Sequence, residues 1–143
     1  MNLTINNYSA KNRQSFYGTF KKTPEMDIAI KKATDYDLRK FSLALKRMSA
    51  EKDDRFFKLN SSVDYNAGRE EFTKNINLHE YSKYETIHNV GKEVKSEPKN
   101  FVGNCYNNVI KRITQVLEDI YPEKEHMSIP REKSLNEISQ YLE

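Results

Sequence analysis

Cysteine is almost absent from this 143-residue chain, and tryptophan is absent altogether. The single thiol, Cys105, excludes an internal disulfide and any zinc site built on several thiolates. Glycine and proline number four each, so long irregular loops are not expected. The glycines stand at 18, 68, 91 and 103, too scattered to form a phosphate cradle. No Gly-x-Ser-x-Gly elbow, His-Glu-x-x-His pair or kinase set occurs. No run approaches the ~20 apolar residues of a membrane helix. Met1–Tyr8 also lacks the positive-then-apolar pattern of a secretory signal. A soluble cytoplasmic protein with no membrane contact is therefore the expectation.

What is present is aromatic and charged. Seven Phe and nine Tyr accompany an apolar fraction of 36% and a charged fraction of 31%. That balance suits one domain with a thin, aromatic-rich core. The charge is graded along the chain. Residues 1–24 hold Lys11, Arg13, Lys21 and Lys22 and no acid, whereas 118–143 hold seven acids against three bases. A polarised chain of this kind meets partners through long-range fields that steer encounter.

The segment Ser15–Phe20 places Phe16 and Phe20 on one side of an extended stretch, a strand signal. Here Ser15, Phe16 and Gly18 resemble the Ser-Phe-x-Gly that ends the Asn-rich leader of a loose class of small uncharacterised bacterial proteins. The resemblance implies no activity.

Thr23-Pro24-Glu25 is a helix start, with a hydroxyl cap, a proline and then an acid. Met26, Ala29, Ile30 and Ala33 form its stripe. Thr34 or Asp35 caps a second helix striped by Leu38, Phe41, Leu45 and Met48 and ending near Ala50. The period then changes. Arg55–Asn60 and Ser62–Tyr65 read as extended, Tyr65–Gly68 as a turn, and Glu71–Tyr81 as a half-buried strand. A turn at Ser82-Lys83 would set Leu78 opposite Ile87 and Glu80 opposite Glu85. A long helix is expected from Ser96-Glu97-Pro98 to Pro122, striped by Val102, Tyr106, Val109, Ile113, Val116 and Ile120. Ser134-x-x-Glu137 reads as a capping box for a last helix bearing Leu135, Ile138, Tyr141 and Leu142.

These elements predict an α+β fold. It has two N-terminal helices, a small antiparallel sheet from the middle third, a long helix packed on that sheet and a short C-terminal helix. The expected division is a flexible basic arm over 1–14, one domain over 15–121, a charged linker over 122–133 and the final helix over 134–143.

Candidate chemistry is sparse. His79 and His88 share a face in the register above, but no third ligand converges with them, so no metal is expected. Cys105 lies beside an apolar stripe with no histidine near it in sequence, which predicts a packed, inert thiol. No cofactor or catalytic residue is predicted. The function expected is that of a small non-enzymatic interaction protein that binds another macromolecule, foremost a protein. A phage- or mobile-element-type inhibitor with an acidic tail is one version. The alternative is nucleic-acid binding through the basic, aromatic N-terminal arm; an enzyme of unrecognised type comes third. Candidate partner-binding residues are Lys11, Arg13, Tyr17, Lys21, Lys22, Arg39, Lys40, Lys46 and Arg47.

Overall fold

The computed structural model of the protein describes residues 19–122 and 131–142. Expectations that fall on 1–18, the basic arm with Phe16 among them, lie outside the described residues.

The chain enters through β1 (Thr19–Phe20) and turns into α1 (Pro24–Lys32) and α2 (Asp35–Glu51). Both helix starts form as the sequence predicts. Thr23 Oγ1 accepts from Met26 N at 3.2 Å, and Thr34 Oγ1 accepts from Asp37 N at 3.1 Å. Thr23 also donates to Leu59 O at 3.1 Å, so one hydroxyl caps α1 and ties it to the sheet. Met26, Leu38, Phe41, Leu45 and Met48 are fully buried. Lys52, in the left-handed region at φ 54°, ends α2 one residue beyond the expected stop.

Three long antiparallel strands follow: β2 (Phe56–Asn66), β3 (Glu71–Tyr81) and β4 (Glu85–Lys95). The sheet order is β1-β2-β3-β4, with the two residues of β1 parallel to Phe56 and Phe57. Phe57, Leu59, Ile76 and Leu78 point to the helices and are fully buried. Phe20 stacks on Phe57 at 4.9 Å and meets Phe41 edge-on at 5.8 Å. Such ring pairs add to burial through their quadrupoles.

The β3–β4 register departs from expectation by one residue. The loop is Ser82–Tyr84 rather than two residues, so Leu78 stands opposite His88, His79 opposite Ile87, Glu80 opposite Thr86 and Tyr81 opposite Glu85. This separates the two carboxylates that the expected register would have opposed, which removes a like-charge penalty. A bulge then restores the core. Asn77 pairs with Asn89 and Ile76 with Gly91, leaving Val90 as the extra residue. Val90 is buried.

The expected long helix is shorter than predicted. Two 3-10 turns, Pro98–Asn100 and Asn104–Tyr106, precede α3 (Val109–Ile120). Gly103 at φ 89° and Asn108 at φ 64° are left-handed, which no helix interior admits. Gly and Asn are also poor helix formers. Val102, expected on the stripe, is 68% exposed, while Val109, Ile113 and Leu117 are buried and Val116 is half-buried. α3 packs chiefly on α2 and reaches β4 only in part, so it is not a helix laid along the sheet. The last helix, α4 (Arg131–Ser139), begins before Ser134. Ser134 is therefore a buried interior residue rather than a cap. Ile138 is buried, whereas Tyr141 and Leu142 lie past the helix. There Tyr141 O accepts from Phe20 N at 3.0 Å and Leu142 bridges to Phe20.

Candidate functional site

Polar groups gather at three places: two clusters against the helices, and the face of the sheet turned away from them.

The first cluster joins Asp53, Arg55, Glu80, His88 and Tyr121. Arg55 Nη1 donates to Asp53 Oδ2 at 3.1 Å, and the Tyr121 hydroxyl donates to the same oxygen at 2.8 Å. Arg55 Nε lies 3.2 Å from Glu80 Oε2 but off the hydrogen-bond direction, an ion pair without a bond. His88 Nε2 meets Glu80 Oε1 at 3.0 Å. Burial pushes the Tyr121 phenol up to about 12, against the lowering effect of Arg55 beside it. Charges face opposite charges throughout. The cluster's charged groups are paired chiefly with one another.

The second lies beneath the turn Asn104–Tyr106. Ser61 Oγ donates to Glu25 Oε2 at 3.0 Å, and burial pushes the Tyr106 phenol up to about 12. Cys105 is buried, and desolvation raises its thiol above the ordinary value although Lys74 lowers it. Raised and buried, the thiol is the reverse of an activated nucleophile. Both carboxylate oxygens of Glu93 are buried without a hydrogen-bond partner, with the Lys95 ammonium at 3.7 Å.

The third place is the open face of the sheet, where Phe56, Lys58 and Asn60 of β2 stand beside Asn75, Asn77, His79 and Tyr81 of β3 and Ile87, Asn89 and Lys92 of β4. Strand alternation puts them here because Phe57, Leu59, Ile76 and Leu78 take the helix side. Asn89 Nδ2 donates to Asn75 Oδ1 and Asn77 Oδ1, each at 3.1 Å, and Asn75 Nδ2 donates to Asp64 Oδ2 at 3.1 Å. Phe56 and Tyr81 lie 5.7 Å apart, with His79 stacked on Tyr81 at 6.1 Å. His79 Nδ1 meets Glu85 Oε2 at 2.7 Å. The β2–β3 hairpin projects past the helices, so Val63 and Tyr65 are exposed on its other side too. Two shallow depressions mark the face. One is lined by Asp64, Tyr65, Thr73, Asn75 and Lys92, the other by Lys21, Phe56, Lys58 and Tyr81.

The residues that the sequence nominated for partner binding separate in the structure. Lys11, Arg13 and Tyr17 lie outside the described residues. Lys21 and Lys22 are exposed after β1, and Lys21 borders the open face. Arg39 is half-buried on α2. Lys40 and Arg47 reach Glu118 Oε2 at 3.6 and 3.7 Å, and Lys46 reaches Glu137 Oε2 at 3.6 Å. Three of the α2 cations thus serve internal pairs. His79 and His88, expected on one face, lie on opposite faces because the register is shifted. Among the described residues no group of three His, Cys, Asp or Glu could hold a metal ion, and no helix is long and apolar enough to cross a membrane.

The open face was missed as a site. Its signal was the run of asparagines at 75, 77 and 89 on the polar side of alternating strands, where charged residues are the commoner solubilising choice. Comparison with protein families, with characterised proteins and with solved structures gives no match.

Proposed function

We propose that this is a non-enzymatic interaction protein whose open sheet face and projecting β2–β3 hairpin bind another protein. The observation that carries the proposal is the open face itself, an extended surface of aromatic rings, networked amides and exposed apolar side chains. Aromatic anchors amid adaptable amides are the chemistry of protein recognition. The charge on this face favours a protein over a nucleic acid. Lys21, Lys58 and Lys92 are balanced by Asp64, Glu71 and Glu85, whereas phosphate binding calls for an excess of cations. The self-paired cluster around Arg55 and the buried, deactivated Cys105 support binding over catalysis. An inhibitor that occludes a partner's surface is a narrower form of the same proposal. Of its acidic tail, Glu118 and Glu137 already serve α2.

The test is affinity capture with the whole chain from cells of its source, followed by mass spectrometry. It compares the natural protein with a Tyr65→Ala, Lys58→Glu variant whose melting is unchanged. We expect a protein that the natural chain retains and the variant loses. Equal capture by both would remove the open face from the function. Tight binding to single-stranded nucleic acid that weakens steeply with salt would replace the proposal by its nucleic-acid alternative.

A further inference from the structure

β4 forms one edge of the sheet. Its 11 residues pair with β3 on one side, and among the described residues no backbone–backbone hydrogen bond leaves them on the other. An open ladder of this length is a template for another strand unless its side chains prevent approach. Here they invite a particular one. Ile87 and Val94 are 57% and 43% exposed, and both point to the open face. On the helix side the Glu93 carboxylate is turned inward and buried, beside the Lys95 ammonium at 3.7 Å.

The bulge at Val90 determines which strand fits. Before it, residues 85, 87 and 89 face the open side; after it, residues 92 and 94 do. A copy of β4 approaching antiparallel matches both faces only if residues before the bulge meet residues after it. The register that sets Ile87 opposite Val94 also sets His88 opposite Glu93, Thr86 opposite Lys95, Asn89 opposite Lys92 and Glu85 opposite Ser96. No like charges oppose each other. A shift of two residues in either direction puts Ile87 against Lys92, or Asn89 against Val94, and loses both matches.

We infer that two copies of this chain associate by antiparallel pairing of their β4 edges, with Ile87 opposite Val94 and His88 opposite Glu93. The two sheets then run on as one, and the open face of each continues into the other. This contact does not depend on the protein-binding function proposed above, whose test leaves β4 untouched. Strand pairing alone buries less than the ~1,200 Å² of a stable interface, so the dimer is weak, with a dissociation constant on the order of 10–100 µM.

Sedimentation velocity over roughly 5–500 µM reads this range directly. The natural chain is expected to move toward twice its monomer mass as concentration rises. Ile87→Lys and Val94→Glu should each weaken association at least about tenfold, since each buries a charge against an apolar side chain. Combining them in one chain should restore it, because every lysine then faces a glutamate across the two-fold axis. Both positions are exposed, so melting should not change; Ile87→Ser and Val94→Ser replace any variant that melts early. The inference fails if the natural chain stays monomeric throughout. It fails equally if the single variants associate as before, or if the combined variant is no better than either one.

Discussion

Tyr106 and Tyr121 carry phenols that burial holds neutral to about 12, well above the ordinary value near 10. A folded-state value raised above the unfolded one stabilises the fold fully below pH 10. That contribution is lost as pH climbs from about 10 to about 12. Melting temperature should therefore stay level up to about pH 9.5 and fall steadily above it. Tyrosinate absorbance should show the exposed rings ionising first and these two only with unfolding. In Tyr121→Phe the alkaline fall should shrink, while stability at neutral pH drops by roughly 1 kcal/mol for the lost bond to Asp53. If all nine tyrosines of the natural chain titrate together near pH 10, the two phenols are not buried as described. The two groups differ in how far the sequence announced them. A lone cysteine beside an apolar stripe is a packed cysteine, and Cys105 was legible for that reason. Tyr121 was not, because the Asp53 that accepts its hydrogen bond lies 68 residues earlier and only the fold joins them.

At the scale of elements, capped helix starts and strand alternation were readable, and irregular joints were not. Thr23, Thr34 and the Glu71–Tyr81 strand are local signals and formed as predicted. The stretch 96–108 kept a helical spacing of apolar residues, yet Gly103 and Asn108 bend it into turns, since periodicity does not register φ. The hairpin register slipped because two- and three-residue loops fit the same sequence, and the deciding terms were the Glu80 and Glu85 environments. The bulge that followed made Gly91 indispensable. A Cβ there would lie 2.1 Å from Cys105 O and 3.0 Å from Val109 Cγ2. The turn Asn104–Tyr106 and the start of α3 rest directly on that bare backbone. Gly91→Ala should cost about 1–3 kcal/mol by overpacking, read by urea titration. It should also speed thiol-reagent labelling of Cys105, because the turn must lift to make room. Gly68→Ala serves as the comparison: its added Cβ would meet only Asn66 Oδ1, at 3.4 Å. Equal effects from the two would contradict the close approach at Gly91.

Over the whole molecule, the charge gradient that looked like an address for partners is partly consumed within the fold. Lys40, Lys46 and Arg47 come from the basic half of the chain, Glu118 and Glu137 from its acidic end, and α2 brings the two ends together. The acids are not equivalent. Glu118 pairs with half-exposed Lys40, a contact worth about 0–1 kcal/mol and reduced by salt, and with Arg47, whose side chain is mostly buried and whose Nη2 has no hydrogen-bond partner. Glu137 also accepts from Ser42 Oγ at 2.9 Å, and Ser42 is fully buried. Taking the charge from Glu118 should therefore give a loss that salt masks in part, and taking the whole side chain from Glu137 a loss that salt leaves intact. Glu118→Gln is expected to cost about 1–2 kcal/mol, with the Lys40 share vanishing near 0.5 M salt and the Arg47 share persisting. It should delay elution from heparin, since a surface carboxylate is lost and Lys40 is freed of its partner. Glu137→Ala should cost about 1–3 kcal/mol at any salt concentration, because a buried hydroxyl loses its acceptor. Denaturant titrations at low and high salt separate the two. If Glu137→Ala proves as salt-sensitive as Glu118→Gln, α4 is held by surface charge alone, and the Ser42 bond does not anchor the chain's acidic end to its basic half.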